Sequence, residues 1–183
     1  MTSEKHLKLL LPYYVKEYRN IISPDLAKEI ITQPNLKFFP ATAGGGKTNE
    51  ARRCYVKQLE PKFKKKISAI FKDLFKSYIQ ELKFFDGLKM EDSGYDHLLY
   101  KGEEAHEYKE HVDHSQFMKP RVLSCSLLLN DDYQGGNFSF FGGEHVISRL
   151  AYSAVVFPSN PCFPHSITPI YQGDRHSIIS WVH

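Results

Sequence analysis

His111, Asp113, His165 and Arg175 are the residues of this chain whose types and spacing could do chemistry. His111-Val112-Asp113 sets an imidazole and a carboxylate two positions apart. On an extended strand, positions i and i+2 point the same way, so both can grip one metal ion. The distant His165 could supply a third ligand once the sheet folds back. Two His and one carboxylate on one face leave about three positions open on a six-coordinate ion, the ligand set of a non-haem Fe(II) centre. Arg175 could then hold a carboxylate by a bidentate ion pair. Ser177, two positions on and so on the same face, could bond that carboxylate as well.

The chain has nine His, so an isolated H-x-D could arise by chance, as an ordinary surface pair. The context carries the weight. His111 and Asp113 end one predicted strand. His165 begins another after the proline-rich turn 158–164, and Arg175 begins the last after Gly173. His114 should point away from its neighbour Asp113. His97, His106, His145 and His176 have no partner at ligand spacing and read as structural or exposed.

The elements that must position these groups fall into two textures. The first, about residues 1–90, reads as mixed and helix-rich. Leu9 to Val15 suggests a strand. Ser23-Pro24-Asp25 starts a short helix, with Ser as cap, Pro in the first turn and an acid at the positive end of the dipole. Residues 61–83 carry apolar side chains at i, i+3, i+4 and i+7 spacing from Phe63 to Leu82, a helix with one buried face. Its run Lys62, Lys64, Lys65 and Lys66 reads as a solvated face. Residues 43–48, Ala-Gly-Gly-Gly-Lys-Thr, imitate the tail of a phosphate-binding loop. The first glycine of that motif would fall on Ala41 and no buried strand leads in, so a surface loop is expected. Arg52-Arg53 follows it and could meet a substrate.

From about Tyr95 the texture is strands. Candidates are 96–100, 108–113, 122–129, 137–141, 145–150, 154–157, 165–170 and 176–182, separated by Gly, Asn, Asp and Pro turns. Strands at that spacing predict an antiparallel sandwich or jelly roll, with the earlier helices packed on one face. The fold class is mostly β with N-terminal helices (α+β). One domain over 1–183 is expected, with a supporting part at 1–94 and a catalytic core at 95–183.

Composition narrows the partners. The 42% hydrophobic and 14% aromatic content argues for a folded chain over a disordered one. A formal charge of only +3 gives no reason to expect nucleic acid. Cys54, Cys125 and Cys162 form no CxxC pair and read as reduced thiols. Leu9-Leu10-Leu11, ended by Pro12, is too short for a signal peptide, and no apolar run approaches a membrane span. A cytoplasmic location is expected; oligomeric state stays open.

The stretch Tyr100 to Trp181 resembles the Fe(II)/2-oxoglutarate-dependent dioxygenases, most closely their prolyl 4-hydroxylase-like branch. The matching pieces are Tyr100 and Tyr108 before His111-x-Asp113, then Leu128-Leu129-Asn130-Asp131 with Gly135-Gly136 and Phe140. Phe157-Pro158 and His165 follow, and Thr168-Pro169-Ile170-x-x-Gly173-x-Arg175-x-Ser177 with Trp181 closes the set. The resemblance implies a double-stranded β-helix, a jelly-roll barrel. It implies Fe(II) on His111, Asp113 and His165. It implies 2-oxoglutarate with its far carboxylate on Arg175, Ser177 or Tyr100 as second contact, and O2 as the other co-substrate; ascorbate is a further candidate. Asp113 favours hydroxylation over halogenation. The chain departs from the branch at Arg175, where Lys is common, at Asn137-Phe138 for the usual Glu-Thr, and at Leu127 or Leu128 where a Tyr is usual.

The expected reaction is hydroxylation of a protein or peptide, a prolyl residue first, with a flexible loop at 42–50 folding over it. The competing substrate class is a free amino acid or other small molecule. A closed pocket would favour that class and a long open channel a peptide. The alkylation-repair branch carries a second Arg six residues after the first; position 181 is Trp, so nucleic acid is not expected. The competing class of protein is a non-catalytic jelly-roll binding module, and the intact ligand set weighs against it. The sequence ends directly after the last expected strand, so no C-terminal substrate-binding domain is expected.

Overall fold

The computed structural model describes residues 10–34, 36–42, 48, 50–83, 87, 91–114 and 119–183. The glycine-rich loop at 43–47 lies outside them. Residues 10–14, expected as a strand, are helical. Leu11 and Val15 are both buried, and the Val15 N–H donates to the Leu11 carbonyl at 2.8 Å. That four-residue repeat suits a helix and not a pleat.

The helix Pro24–Ile31 forms as its sequence suggests: the Ser23 hydroxyl accepts from the Leu26 N–H at 3.3 Å, and Ala27 and Ile30 are buried. The long helix Pro61–Glu81 starts on Pro61 and buries Phe63, Ile67, Phe71, Leu74, Phe75 and Tyr78. Lys62, Lys64, Lys65 and Lys66 are exposed, so the lysine run is a solvated face.

The strands build two antiparallel sheets. The larger, in spatial order, contains β1 (Lys16–Tyr18), β11 (Ala154–Pro158), β7 (Leu123–Leu128), β14 (Asp174–Val182), β5 (Asp96–Lys101), β4 (Tyr55–Gln58) and β2 (Phe39–Pro40). The smaller contains β10 (His145–Val146), β9 (Phe138–Phe140), β12 (His165–Ile167), β6 (Glu107–His111) and β3 (Arg52–Arg53). A third ladder pairs β13 (Ile170–Gln172) with β8 (Gln134–Gly135). The fold is that of a double-stranded β-helix with helical support. Four strands come from before residue 60, so the first part of the chain contributes sheet as well as helices. The single strand expected over 165–170 is split in two. The Thr168 N–H bonds the Asn137 carbonyl and the Ile170 N–H bonds that of His106, outside one continuous ladder.

Alternation sorts the side chains. On the larger sheet Leu123, Cys125, Leu127, Ala154, Val156, Ile178 and Val182 face outward and pack under the long helix. Leu98, Tyr100, Val155 and Phe157 face inward and meet Phe138, Phe140 and Ile167 of the smaller sheet. Each fully buried large side chain contributes roughly 1.5–3 kcal/mol of transfer free energy. Among the described residues, no helix is long and apolar enough to cross a membrane.

A buried histidine pair lies at the start of this sheet. His97 Nε2 and His176 Nδ1 are 3.0 Å apart, with the Phe38 ring 5.0 Å from His97. One nitrogen must donate and the other accept, and burial favours the neutral form of both rings. Burial first, then His176 and Lys57, push the His97 pKa down from 6.5 to about 3. Below pH 6.5 the unfolded chain therefore binds a proton that the folded chain refuses, and stability must fall as pH drops from 6.5 toward 3. Urea unfolding at pH 7 and pH 5 is expected to show this loss, and His97→Leu should flatten it. An equal pH dependence in the variant would refute the assignment.

Candidate active site

Strand register assembles the site. His165 opens β12 opposite His111, the last residue of β6. Arg175 in β14 lies opposite Tyr100 in β5, and Trp181 opposite Ser124 in β7. His111, Asp113, His165, Arg175, Ser177 and Tyr100, all singled out from sequence, line one cavity of about 600 Å³ including its mouth.

The ligand atoms of His111, Asp113 and His165 all lie within 4.8 Å of one another. His111 Nε2 is 3.7 Å from Asp113 Oδ1, and His165 Nε2 is 3.7 Å from Asp113 Oδ2. Each imidazole is oriented by its other nitrogen. Nδ1 of His111 donates to the Lys109 carbonyl at 2.9 Å, and Nδ1 of His165 to that of Phe163 at 3.0 Å. With Nδ1 so engaged, the Nε2 atom is the one left to ligate a metal, the usual arrangement of a ligating His. Burial lowers the pKa of His165, against the pull of Asp113, which keeps the ring neutral and able to ligate.

Asp113 differs from the sequence reading in one respect. β6 ends at His111, so the carboxylate sits in the following loop and not on the strand. Side-chain bonds hold it there instead. Its Oδ2 accepts from Ser124 Oγ at 2.7 Å and from Trp181 Nε1 at 3.0 Å. Ser159 Oγ, 2.7 Å from Ser124 Oγ, must donate inward, because the Ser124 proton is committed to Asp113. Burial alone would raise the Asp113 pKa, but His111, His165 and Ser124 outweigh it and hold the carboxyl well below the usual range. It is an anion whose Oδ1 takes neither of these bonds. Ser124 escaped the sequence reading, since a serine in an apolar strand carries no signal of its partner.

Arg175 is 3% exposed. Its Nη1 donates to Ser177 Oγ at 2.9 Å, its Cζ lies 5.4 Å from the Tyr100 ring centre, and its Nε has no hydrogen-bond partner. A buried cation with unused donors fits a carboxylate ligand. Gly136 makes room for it: at φ +62°, a Cβ there would come within 3.2 Å of Arg175 Cδ. Burial pushes the Tyr100 hydroxyl pKa well up, so it remains a protonated donor. Leu128, one of the two candidates for the position where a Tyr is usual in the branch, lies with Arg175 on a smaller adjoining cavity.

The match to known proteins follows this geometry. The family model for the 2OG-Fe(II) oxygenase superfamily matches residues 96–183, the segment that carries every one of these groups. Residues 96–183 belong to the 2OG-Fe(II) oxygenase superfamily. The protein is a dioxygenase, and its cofactor and co-substrates are Fe(II), 2-oxoglutarate and O2. No curated protein sequence matches it. Among solved structures, a Pseudomonas putida prolyl-4-hydroxylase aligns over 98% of both chains at 21% identity, TM-score 0.74. A Trichoplax adhaerens prolyl hydroxylase, in complex with a hypoxia inducible factor oxygen degradation domain peptide fragment, is also similar. It aligns over 98% of this chain and 88% of its own at 15% identity, TM-score 0.73. A viral collagen prolyl hydroxylase from Paramecium Bursaria Chlorella virus-1, as a 2OG complex, aligns over 92% and 95% at 14% identity, TM-score 0.71. At these identities the likeness speaks for the fold.

The grip of Trp181 on Asp113 can be tested in this oxygenase without turnover. Trp181→Phe keeps a ring but removes the N–H donor. The expected result is a loss of roughly 10–100-fold in Mn(II) affinity, read by electron paramagnetic resonance, with an unchanged melting temperature. Affinity within threefold of the parent would show that the bond does not orient the ligand.

Proposed function

We propose that this oxygenase hydroxylates a protein or peptide at a prolyl residue. In this reading His111, Asp113 and His165 ligate Fe(II), and Arg175 receives the far carboxylate of 2-oxoglutarate with help from Ser177 and Tyr100. The observation that carries the residue roles is the combination, in one cavity, of a three-ligand cluster and a buried arginine with unused donors. The substrate reading draws its support from the near end-to-end likeness to prolyl hydroxylases, one of them solved with a peptide fragment.

When bound, Fe(II) and 2-oxoglutarate couple loss of CO2, giving succinate, to insertion of one oxygen atom of O2 into a substrate C–H bond. The protein's own part is placement. His111 and His165 would hold the ion through their Nε2 atoms and Asp113 through its carboxylate, and the bound ion would supply the site for co-substrate and gas. Phe138 and Phe157 line the cavity and pack against His165 at ring-centre distances of 5.4 and 4.8 Å, giving the site apolar walls. Arg175 would hold the far carboxylate of the keto acid.

Anaerobic addition of Fe(II) and 2-oxoglutarate should give the weak visible charge-transfer band of the chelate, and O2 should discharge it with formation of succinate. Proline-containing peptides should then gain one oxygen atom by mass spectrometry. His111→Ala and Asp113→Ala should abolish both steps. Arg175→Ala should chiefly weaken 2-oxoglutarate, by on the order of 10²-fold, as loss of a buried charge partner does. Turnover that survives loss of His165 would refute the ligand assignment. Hydroxylation of free amino acids alone would refute the peptide reading.

A further inference from the structure

The polar groups of the cavity gather at two ends, and one lies between them. At the metal end Arg52 stands against Tyr108, whose ring stacks on His111, and Arg121 against Trp181, whose N–H donates to Asp113. At the other end the Arg175 guanidinium donates to Ser177. Ser126, in the middle of β7, has no part in the chemistry described so far. It lines the cavity and is only 9% exposed.

Alternation puts Ser124, Ser126 and Leu128 on the inner face of β7, with Leu123, Cys125 and Leu127 under the long helix. The inner positions keep different company. Ser124 commits its proton to Asp113. Leu128 lies opposite Ser177. Ser126 lies between Ile179 of β14 and Val155 of β11, and Phe138 of the facing sheet lines the same cavity. None of these three side chains carries a hydrogen-bonding atom. Among the described residues, no group hydrogen-bonds the Ser126 hydroxyl. A buried hydroxyl left so is costly, and an alanine or valine would complete the wall without that cost. Its partner comes from the cavity itself.

Position says which group of a ligand that is. Ser126 is two residues, about 7 Å, along β7 from Ser124 and the metal end. It is diagonal across the ladder from Ser177, a separation of about 7–8 Å. Arg175 Nη1 is 2.9 Å from Ser177 Oγ, so the guanidinium lies back along β14 toward Ser126. Ser126, Phe138 and Arg175 are also the residues that both cavities share. Donors at about 2.7–3.0 Å from the two oxygens of one carboxylate bridge a gap of that size. We infer that Ser126 is a further binding residue for the co-substrate, its hydroxyl donating to the far carboxylate of 2-oxoglutarate beside Arg175. The inference rests on the role proposed for Arg175 and extends it to a second strand of the same sheet. The arginine supplies charge, and a hydroxyl donating to a carboxylate adds a short, directional bond.

The test compares two chelators on the Mn(II)-loaded protein by titration calorimetry, without turnover. N-oxalylglycine, a non-reacting analogue, keeps both carboxylates of the co-substrate. Oxalate chelates the metal but ends short of Arg175. Ser126→Ala should weaken N-oxalylglycine by roughly tenfold or more, as loss of a hydrogen bond to a charged group does, and leave oxalate within about twofold of the parent. Ser126→Cys keeps the shape but offers only a weak donor, and should fall to the level of the Ala variant. Parental N-oxalylglycine affinity in Ser126→Ala, an equal loss for oxalate, or full retention in Ser126→Cys overturns the inference. Arg175→Ala separates it from the reading beneath. If that variant binds N-oxalylglycine as the parent does, the role of Arg175 falls and this inference with it. Weakening by Arg175→Ala with none by Ser126→Ala overturns this inference alone.

Discussion

The register of β14 against its two neighbours is the constraint on which the rest depends. Its residues alternate between two environments, so a slip of one position would exchange them all. In the observed register Ile178 and Val182 sit under the long helix, while Arg175, Ser177, Ile179 and Trp181 face the cavity. The same pairing sets Arg175 beside Tyr100 and Trp181 beside Ser124. The apolar set that anchors the helix therefore also holds the cationic end and the metal end of the site at a fixed separation. Support and chemistry are opposite faces of one strand.

The second constraint is electrostatic. A buried carboxylate is costly unless nearby charge and hydrogen bonds compensate it. Asp113 lies beyond the end of its strand, where no ladder bond orients it, and the compensation comes from three directions. His111 and His165 flank it, Ser124 and Trp181 bond its Oδ2, and Ser159 backs Ser124. With Oδ2 engaged, Oδ1 is the natural single donor to an ion. A carboxylate that offered both oxygens would occupy a coordination position that the co-substrate or O2 needs. Ser124, in the otherwise largely apolar β7, is thus explained by the carboxylate on its inner face.

Arg175 shows the complementary situation. Its positive charge is buried with a hydroxyl and an aromatic face for company and with Nε unbonded. An arginine left so is expensive in a purely structural role, and the carboxylate partner proposed for it would offset that expense. Gly136, at a positive φ beside Arg175 Cδ, is the backbone's concession to that side chain.

Much of this was legible in the chain before its fold. The capped helix at 24–31 and the apolar stripe from Phe63 to Tyr78 follow from local spacing and cap chemistry, which act within a few residues. That His111, Asp113 and His165 would lie together, with Arg175 and Ser177 in the same cavity, was readable from their types, order and context. Local signals misled at residues 10–14, expected as part of a strand, where a buried i, i+4 pair forms a helical turn. They were silent on β8 and β13, short ladders made by contacts distant in sequence. The sequence by itself determined the residue types able to hold a metal and a dicarboxylate, and the two periodicities of helix and strand. Only the tertiary structure decided that Asp113 hangs from Ser124 and Trp181, that Tyr108 stacks on His111, and that Arg52 and Arg121 share the cavity. The reason is physical. Each of those contacts joins segments brought together by strand register, and register is set by burial of the whole sheet, not by any run of neighbouring residues.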